Sequence, residues 1–194
     1  MQPTRVQSIR LACHPDTPES AVHHIEAHVY RPPEGPMQVT YALHGDLDRL
    51  RIPPCVTPAR TDGLWRHTCF ELFIKRAGEP AYYELNFSPS GAWAAYSFGG
   101  YRADAAPAEQ APDPQLEVSF TADSLELAAA VPLELFFPQH ASVRLEMAIS
   151  AVVEARDGRL SYWALRHAPG KPDFHHPHAY ALEPGAHSAA MSAA

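Results

Sequence analysis

Residues 68–88 read TCFELFIKRAGEPAYYELNFS and contain the clearest structural signal in the chain. Apolar and polar side chains alternate along Thr68–Arg76 and again along Ala81–Ser88, which is the pattern of two half-buried β-strands. The residues Ala-Gly-Glu-Pro between them suit a tight hairpin connection. Closing the hairpin symmetrically pairs Phe70 with Phe87, Leu72 with Leu85, and Ile74 with Tyr83 on one apolar face. Because a one-residue slip would expose all of these side chains, the sequence predicts an antiparallel hairpin in this register.

The opposite face of this hairpin carries a mixture of polar and aromatic side chains. In the same register Cys69 lies beside Ser88, Glu71 beside Asn86, and Phe73 beside Glu84, with Tyr82 at the end. Carboxylates and an amide can hydrogen-bond a polar ligand, and aromatic rings can pack against its apolar surfaces. The alternative is a plain solvated face, which antiparallel sheets commonly have.

The turn Pro89-Ser90-Gly91 leads into a third predicted strand, Ala92–Phe98. A three-residue loop would place Tyr96 on the polar face and pack Trp93 inward. A loop that is one residue longer or shorter would exchange the two side chains, because successive residues of a strand point to opposite faces. The sequence leaves both alternatives open.

Short alternating segments fill most of the chain, and helical periodicity is nearly absent. The only helical signal is Pro132–Phe137, whereas Ala103–Gln115 has the composition of a long loop. The pattern predicts an all-β, immunoglobulin-like antiparallel sandwich, or a flattened barrel, in one domain at residues 1–184. Residues 185–194 are predicted to be a flexible tail. The candidate strands are Val6–Ala12, Ala21–Arg31, Met37–His44, Thr68–Arg76, Ala81–Ser88, Ala92–Phe98, Leu116–Thr121, Ser124–Val131, Val143–Val153, Leu160–Leu165 and Ala179–Leu182.

Composition narrows the classes of partner. The 194 residues include 22 acidic and 15 basic side chains, a net charge of −7. Lysine and arginine do not cluster, which argues against nucleic acid or an anionic membrane as a partner. Met1–Asp16 has no apolar run of signal-peptide length, and no segment has the length of a membrane span. Three widely spaced cysteines without a CxxC pair favour reduced thiols, so the sequence predicts a cytoplasmic protein.

Several stretches resemble a known family. LWRHTCFELF at 64–73 and YELNFSPSGAW at 83–93 are similar to the bacterial DOMON-like proteins, which are relatives of the family 9 carbohydrate-binding modules. YWAL at 162–165 and KPDFH at 171–175 resemble the closing motif of the same family. The resemblance implies a β-sandwich with a ligand site on a concave sheet face or at one end, and members of the wider superfamily bind sugars or haem. Sugar-binding relatives carry an Asp shortly after the tryptophan, where this chain has residues 66–69, and that departure weakens the transfer of their sugar or calcium chemistry.

The favoured function is non-catalytic binding of a carbohydrate or a similar small polar metabolite. Trp65, Trp163 and either Trp93 or Tyr96 are candidate stacking platforms. Charged and amide side chains would fix the orientation of the ligand through directional hydrogen bonds. The candidate ligand-binding residues are Trp65, Arg66, Glu71, Glu84, Asn86, Tyr96, Arg102, Trp163, His167, Asp173 and His175.

Four alternatives stay open at this point. Haem is the one cofactor considered, with axial ligands to be found among His67, His167, His175 and Met147, although no CxxCH motif is present. A transition-metal site at His175–His178 is the second alternative, although zinc needs three or four ligands in a defined geometry and a single histidine tract is weak evidence for a metal. Glu71 and Glu84 are the candidate carboxylate pair of a glycoside-processing enzyme. The fourth alternative is a protein partner, or a second copy of the chain, that covers the polar face.

Overall fold

The computed structural model describes residues 6–32, 34–109, 111–138 and 143–183. Within these ranges the chain forms eleven β-strands, one short α-helix and three single 3-10 turns, at Leu47–Arg49, Leu64–Arg66 and Pro177–Ala179. The strands are β1 (Gln7–Cys13), β2 (Val22–Tyr30), β3 (Met37–Gly45), β4 (Cys69–Arg76), β5 (Tyr82–Phe87), β6 (Trp93–Phe98), β7 (Ala106–Pro107), β8 (Gln115–Phe120), β9 (Ser124–Val131), β10 (Leu145–Glu154) and β11 (Leu160–Ala164). The helix α1 spans Leu133–Phe136.

All the strands pair antiparallel, in the order β7-β6-β5-β4-β10-β11-β1-β2-β3-β9-β8. Strands β11 and β1 are joined at only two residue pairs, and the sheet folds over at this narrow junction. We call β7-β6-β5-β4-β10-β11 the front sheet and β1-β2-β3-β9-β8 the back sheet. The Tyr41 ring, on the back sheet, stacks on Phe70 of the front sheet with centroids 4.9 Å apart. The two sheets therefore face each other, and the prediction of an antiparallel β-sandwich is confirmed.

The main core lies between the two sheets. Strand β10 shows how the sequence builds it, since Leu145, Met147, Ile149, Ala151 and Val153 alternate along the strand and are all buried in this core. The back sheet contributes the matching row Met37, Val39, Tyr41 and Leu43 from β3. Burial of apolar area at this interface is the main force that holds the sandwich together.

The central hairpin has the predicted register. Phe70 pairs with Phe87, Leu72 with Leu85 and Ile74 with Tyr83, while Glu71 lies opposite Asn86 and Phe73 opposite Glu84. The next connection is a three-residue loop, closed by a hydrogen bond from the Ser88 amide to the Ala92 carbonyl, with Gly91 at a φ of 90°. A residue without Cβ suits that left-handed position. The loop length places Trp93 in the core and Tyr96 opposite Glu84 on the outer face.

The outer face of the front sheet is partly covered by the chain after β11. Residues 166–183 return across this face, and Leu182 is tied to Met147 of β10 by backbone hydrogen bonds in both directions. Beneath the returning segment lies a second apolar cluster, whose buried members are Phe73, Tyr82, Ala148, Val152, Ala164, Phe174 and Ala179. The front sheet is therefore apolar on its inner face and carries apolar and acidic groups together on its outer face.

Two parts of the predicted strand map are wrong. Ala179–Leu182 is not a strand, because Ala179 ends a 3-10 turn and only Leu182 forms an isolated bridge. The expected loop Ala103–Gln115 contains the two-residue strand β7, which pairs with β6. The predicted helical turn is present as α1. The tail predicted at 185–194 lies outside the described residues. In the part of the chain that the structure covers, every helix is too short to span a lipid bilayer.

One polar link crosses the core, and its removal should be measurable. The buried Tyr41 hydroxyl donates a hydrogen bond to the Glu71 carbonyl, with oxygens 2.8 Å apart. Tyr41→Phe retains the ring and removes only this bond, so we expect the free energy of unfolding to fall by about 1–2 kcal/mol. Urea denaturation would measure it. Tyr30→Phe is the control, since Tyr30 is half-buried at the end of β2, and an equal loss there would contradict the assignment.

Candidate functional site

A cleft of about 440 Å³ opens on the outer face of the front sheet. Its floor is formed by β4, β5 and β6, and its rim by the 3-10 turn at Leu64–Arg66, the loop after β6 and the returning segment 166–183. The lining side chains include two carboxylates, one guanidinium, one imidazole and a set of aromatic rings. The lining residues are Trp65, Glu71, Glu84, Tyr96, Phe98, Arg102, Ala105, Val152, Tyr162, Pro172, Phe174 and His175.

Two glutamates form the polar part of the floor. Glu71 is only 3% exposed, and its carboxylate has no hydrogen-bond partner among the described residues. Glu84 is 5% exposed, and its Oε1 accepts a hydrogen bond of 2.7 Å from the Asn86 side-chain amide. The Asn86 Oδ1 is buried without a partner in the same described part of the chain. Buried acceptors of this kind lack the hydrogen bonds that water or a ligand would give them.

Burial raises the pKa of both carboxyl groups. Removal from water penalises the charged form, and it raises the pKa of Glu84 to about 7 even though the Asn86 bond and the charge of Arg102 act in the opposite direction. The pKa of Glu71 is raised well above its usual range by burial and then by repulsion from Glu84. The two groups are therefore neutral, or share one negative charge, at neutral pH.

Arg102 is held at the rim by a carboxylate outside the floor. Its guanidinium donates to Asp173 Oδ1 at 2.8 Å, and the Tyr101 hydroxyl donates to Asp173 Oδ2 at 2.6 Å. Arg102 has a φ of 51°, a left-handed conformation that is uncommon for a residue with a side chain. The backbone strain and the ion pair together indicate that the loop holds this guanidinium in a fixed position.

His175 lies between an aromatic cluster and the floor of the cleft. Its Nδ1 shares a hydrogen bond of 2.7 Å with the Tyr82 hydroxyl, and its Nε2 is 3.7 Å from Glu84 Oε2. The ring also packs edge-on against Phe73 and Phe98. Burial, assisted by the charge of Arg102, lowers the pKa of His175 to about 4. The imidazole is thus neutral at neutral pH and does not offset the carboxylates.

Aromatic rings form the walls. Trp65 is 40% exposed and meets Tyr96 edge-on, with ring centroids 5.7 Å apart. Tyr96 is fixed by a hydrogen bond of 2.8 Å from its hydroxyl to Asp62. Phe98 stacks on Tyr82 at 4.6 Å. Such partly exposed rings beside a polar floor offer an apolar surface to the flat side of a ligand.

Most of the predicted site residues converge on this cleft. Six of them line it, namely Trp65, Glu71, Glu84, Tyr96, Arg102 and His175. Asn86 and Asp173 lie behind them and hold Glu84 and Arg102. Six lining residues were not predicted, namely Phe98, Ala105, Val152, Tyr162, Pro172 and Phe174. The sequence offered a usable signal for three of these, since Tyr162, Pro172 and Phe174 belong to the quoted family motifs.

Three predicted site residues lie elsewhere. Trp163 does not line the cleft, because this side chain packs into the main core and its indole donates to Ser161 Oγ at 3.0 Å. His167 is outside the cleft, where its Nε2 is bonded to the Ala12 carbonyl at 2.8 Å. Arg66 is exposed beside Trp65 but does not line the cleft.

The residues considered for haem do not converge. Met147 is fully buried in the main core, and the His67 ring is bonded to Glu154 at 2.7 Å. Only His175 of that set lines the cleft, so the position of these residues gives the haem alternative no support. Over the described ranges, no group of three or more His, Cys, Asp or Glu side chains is arranged to hold a metal ion.

Comparison with known proteins identifies similar folds only. No protein-family model and no curated protein match the sequence. A solved structure from Bacteroides uniformis, provisionally described as a carbohydrate-binding protein, is similar with a TM-score of 0.65 and 15% identity, over 91% of this chain and 84% of that one. A family 9 carbohydrate-binding module from Caldicellulosiruptor kristjanssonii, in complex with cellotriose, has a TM-score of 0.47 and 10% identity, over 85% and 75% of the two chains. The first similarity supports the fold, and the assignment to the DOMON-like family stays a prediction.

Proposed function

We propose that this chain is a non-catalytic binding domain whose outer front-sheet cleft holds a small polar ligand of the carbohydrate class. The observation that carries the proposal is the placement of Glu71 and Glu84, two buried acceptors, on the floor of an open cleft with aromatic walls. An unsatisfied carboxyl group in such a place costs stability unless a bound molecule completes its hydrogen bonds. A ligand rich in O–H or N–H donors would complete them.

The shape and the walls of the cleft agree with this chemistry. Its volume of about 440 Å³ lies within the range of small-molecule sites, which is roughly 300–1,000 Å³. A sugar ring has polar edges and an apolar face, so its edges would contact the glutamates while its face packs on Trp65 or Tyr96. The Bacteroides uniformis protein of similar fold is itself described, provisionally, as carbohydrate-binding, which is consistent with the proposal.

A bulky side chain at the rim should test the location of binding. Ala105 lines the cleft and is exposed, so Ala105→Trp adds an indole to the opening without entering the core. We expect the affinity for any saccharide bound by the parent, measured by isothermal titration calorimetry, to fall at least about tenfold, since the ligand loses a steric fit worth 1.4 kcal/mol or more.

The matched control is Ala122→Trp, which adds the same side chain at an exposed position between β8 and β9 of the back sheet. It should bind as the parent does. Equal affinities in the parent and both variants would place the binding site elsewhere and contradict the proposal.

Hydrolysis is the outcome that would replace binding as the function. Two glutamates on one face are the minimum for glycoside cleavage, so the parent should be assayed with chromogenic glycosides. We expect no release of the chromophore above the uncatalysed rate. Turnover that disappears in Glu71→Gln would show an enzyme instead.

A further inference from the structure

In the part of the chain that the structure describes, neither carboxylate of the cleft forms an ion pair with a lysine or an arginine. Arg102 is the nearest formal cation, but its guanidinium is bonded to Asp173. Lys75, further along β4, is 3.0 Å from Glu146 and lies over the Tyr180 ring. His175 is the other basic group among the described residues that line the cleft, and it is neutral. The charge of Arg102 lowers the pKa of both cleft carboxyl groups from a distance, but among the described residues no cation is bonded to Glu71 or Glu84.

The floor is also short of hydrogen-bond donors. Glu71 has no side-chain partner in the described chain, and Glu84 has the Asn86 amide with His175 Nε2 at 3.7 Å, beyond hydrogen-bond length. Further ionisable neighbours of the two glutamates have pKa values that burial raises and are uncharged at neutral pH; these are Tyr41, Tyr82, Tyr96, Tyr180 and Cys69. A ligand group that brings both donors and a positive charge fits this floor better than a hydroxyl group does, because a charge-assisted bond is the stronger one.

The surroundings favour an organic cation over a metal ion. Within the described ranges no three His, Cys, Asp or Glu side chains converge to ligate a metal. In contrast, Trp65, Tyr96, Phe98 and Tyr162 offer ring faces or edges around the opening. Aromatic faces attract ammonium groups, and their apolar surface suits the carbon frame that bears such a group.

We propose that the ligand of this cleft carries a protonated amino group, and that this group binds between the carboxylates of Glu71 and Glu84. The inference rests on the proposed function and narrows it from carbohydrates in general to amino sugars. Binding of the ammonium group ionises a carboxyl group that the empty cleft keeps neutral, so a proton leaves the protein as the ligand enters. A neutral sugar would not displace this proton.

Matched pairs of ligands test the contribution of the amino group to affinity separately from that of the rest of the ligand. Glucosamine, N-acetylglucosamine and glucose, with the corresponding galactose set, would be titrated by calorimetry at about pH 6 in two buffers of different ionisation enthalpy. Cyclohexylamine and cyclohexanol form a second pair that lacks the sugar hydroxyls. We expect each amine to bind at least about tenfold tighter than its neutral partners, because charge-assisted hydrogen bonds are roughly twice as strong as neutral ones. The amines, and not the neutral compounds, should release about one proton.

Variants complete the test. Glu71→Gln and Glu84→Gln should each lose the preference for the amine, whereas Glu117→Gln, an exposed change on β8, should keep it. Neutral sugars that bind as tightly as the amines would overturn the amine inference and leave the carbohydrate proposal standing. Binding of cyclohexylamine without binding of any sugar would overturn the carbohydrate proposal and leave the amine inference standing. If no compound binds, both are wrong.

Discussion

We expect the substitution Glu84→Gln, which removes one acidic group, to stabilise the protein above pH 7. Glutamine has the shape of glutamate and can still accept the Asn86 bond through Oε1. The change removes the penalty of holding a carboxylate in a buried position. Since the pKa of Glu84 is raised from 4.5 to about 7, we expect a gain of about 3 kcal/mol in the free energy of unfolding at alkaline pH.

The pH window follows from the direction of the shift. A group with a raised folded-state pKa stabilises the fold below its unfolded pKa, here 4.5, and this contribution is lost as pH rises through about 7. His175 acts in the opposite direction, because its pKa is lowered to about 4 and its contribution is lost as pH falls from 6.5 through that value. The two effects oppose each other between pH 4.5 and 6.5, so the stability of the parent alone does not report the contribution of Glu84.

The difference in stability between variant and parent cancels the His175 contribution and reports Glu84 together with its repulsion of Glu71. Urea denaturation across this range should show a difference that begins near pH 4.5 and levels off above about pH 7. Glu117→Gln, at an exposed position, should show no such pH-dependent gain. A Glu84→Gln variant that is less stable than the parent at about pH 8 would mean that the ionised carboxylate is stabilised by its surroundings.

Trp65→Ala should weaken ligand binding strongly and leave the fold unchanged. The indole is 40% exposed at the mouth of the cleft and contacts Tyr96 edge-on, so its main partner is what enters the cleft. Truncation of a central tryptophan in a binding site commonly costs 2 kcal/mol or more, which corresponds to about thirtyfold in affinity. Calorimetric titration with the tightest-binding saccharide of the panel would measure it.

Phe120→Ala is the matched control for this effect. Phe120 is 45% exposed, lies at the end of β8 on the back sheet, and is absent from the lining of the cleft. Its truncation removes a comparable exposed ring and should leave the affinity unchanged. A Trp65→Ala variant that binds as tightly as the parent would show that this wall does not contact the ligand.

The sequence predicts the central hairpin well because two independent signals agree there. The alternation in Thr68–Arg76 and Ala81–Ser88 and the length of the connection point to one register, and a slip by one residue would reverse both faces. The alternation of side chains along a strand also explains why the sequence does not decide which of Trp93 and Tyr96 faces outward. Their assignment depends on the length of the loop, and the three-residue loop is visible only in the structure.

Trp163 shows the limit of pattern arguments in a strand that carries apolar side chains on both faces. Neighbours in β11 alternate, so Tyr162 lines the cleft while Trp163 packs in the core, but both are aromatic and neither position is marked by polar spacing. The family-like motif contains the pair and does not indicate which of its rings faces outward. The face of the strand on which each residue falls decides between them, because successive side chains point to opposite faces.

Local sequence patterns do not predict that Arg102, Asp173 and His175 come together at the cleft. These residues stand in irregular segments, where no periodicity fixes the direction of a side chain. Arg102 adopts a left-handed backbone conformation, and Asp173 and His175 come from a segment that returns across the sheet after β11. Their selection rested on residue type and on the family resemblance, and their placement is a result of tertiary structure.

The most direct test of the central claim is a map of the bound ligand on the protein. Amide chemical shifts of the isotope-labelled parent would be followed by NMR during titration with glucose, galactose, glucosamine and cellobiose. We expect the chemical shifts to change along β4, β5 and β6, at Arg102 and His175, and at the Trp65 indole N–H. Changes confined to the back sheet, or no change with any of the four sugars, would contradict it.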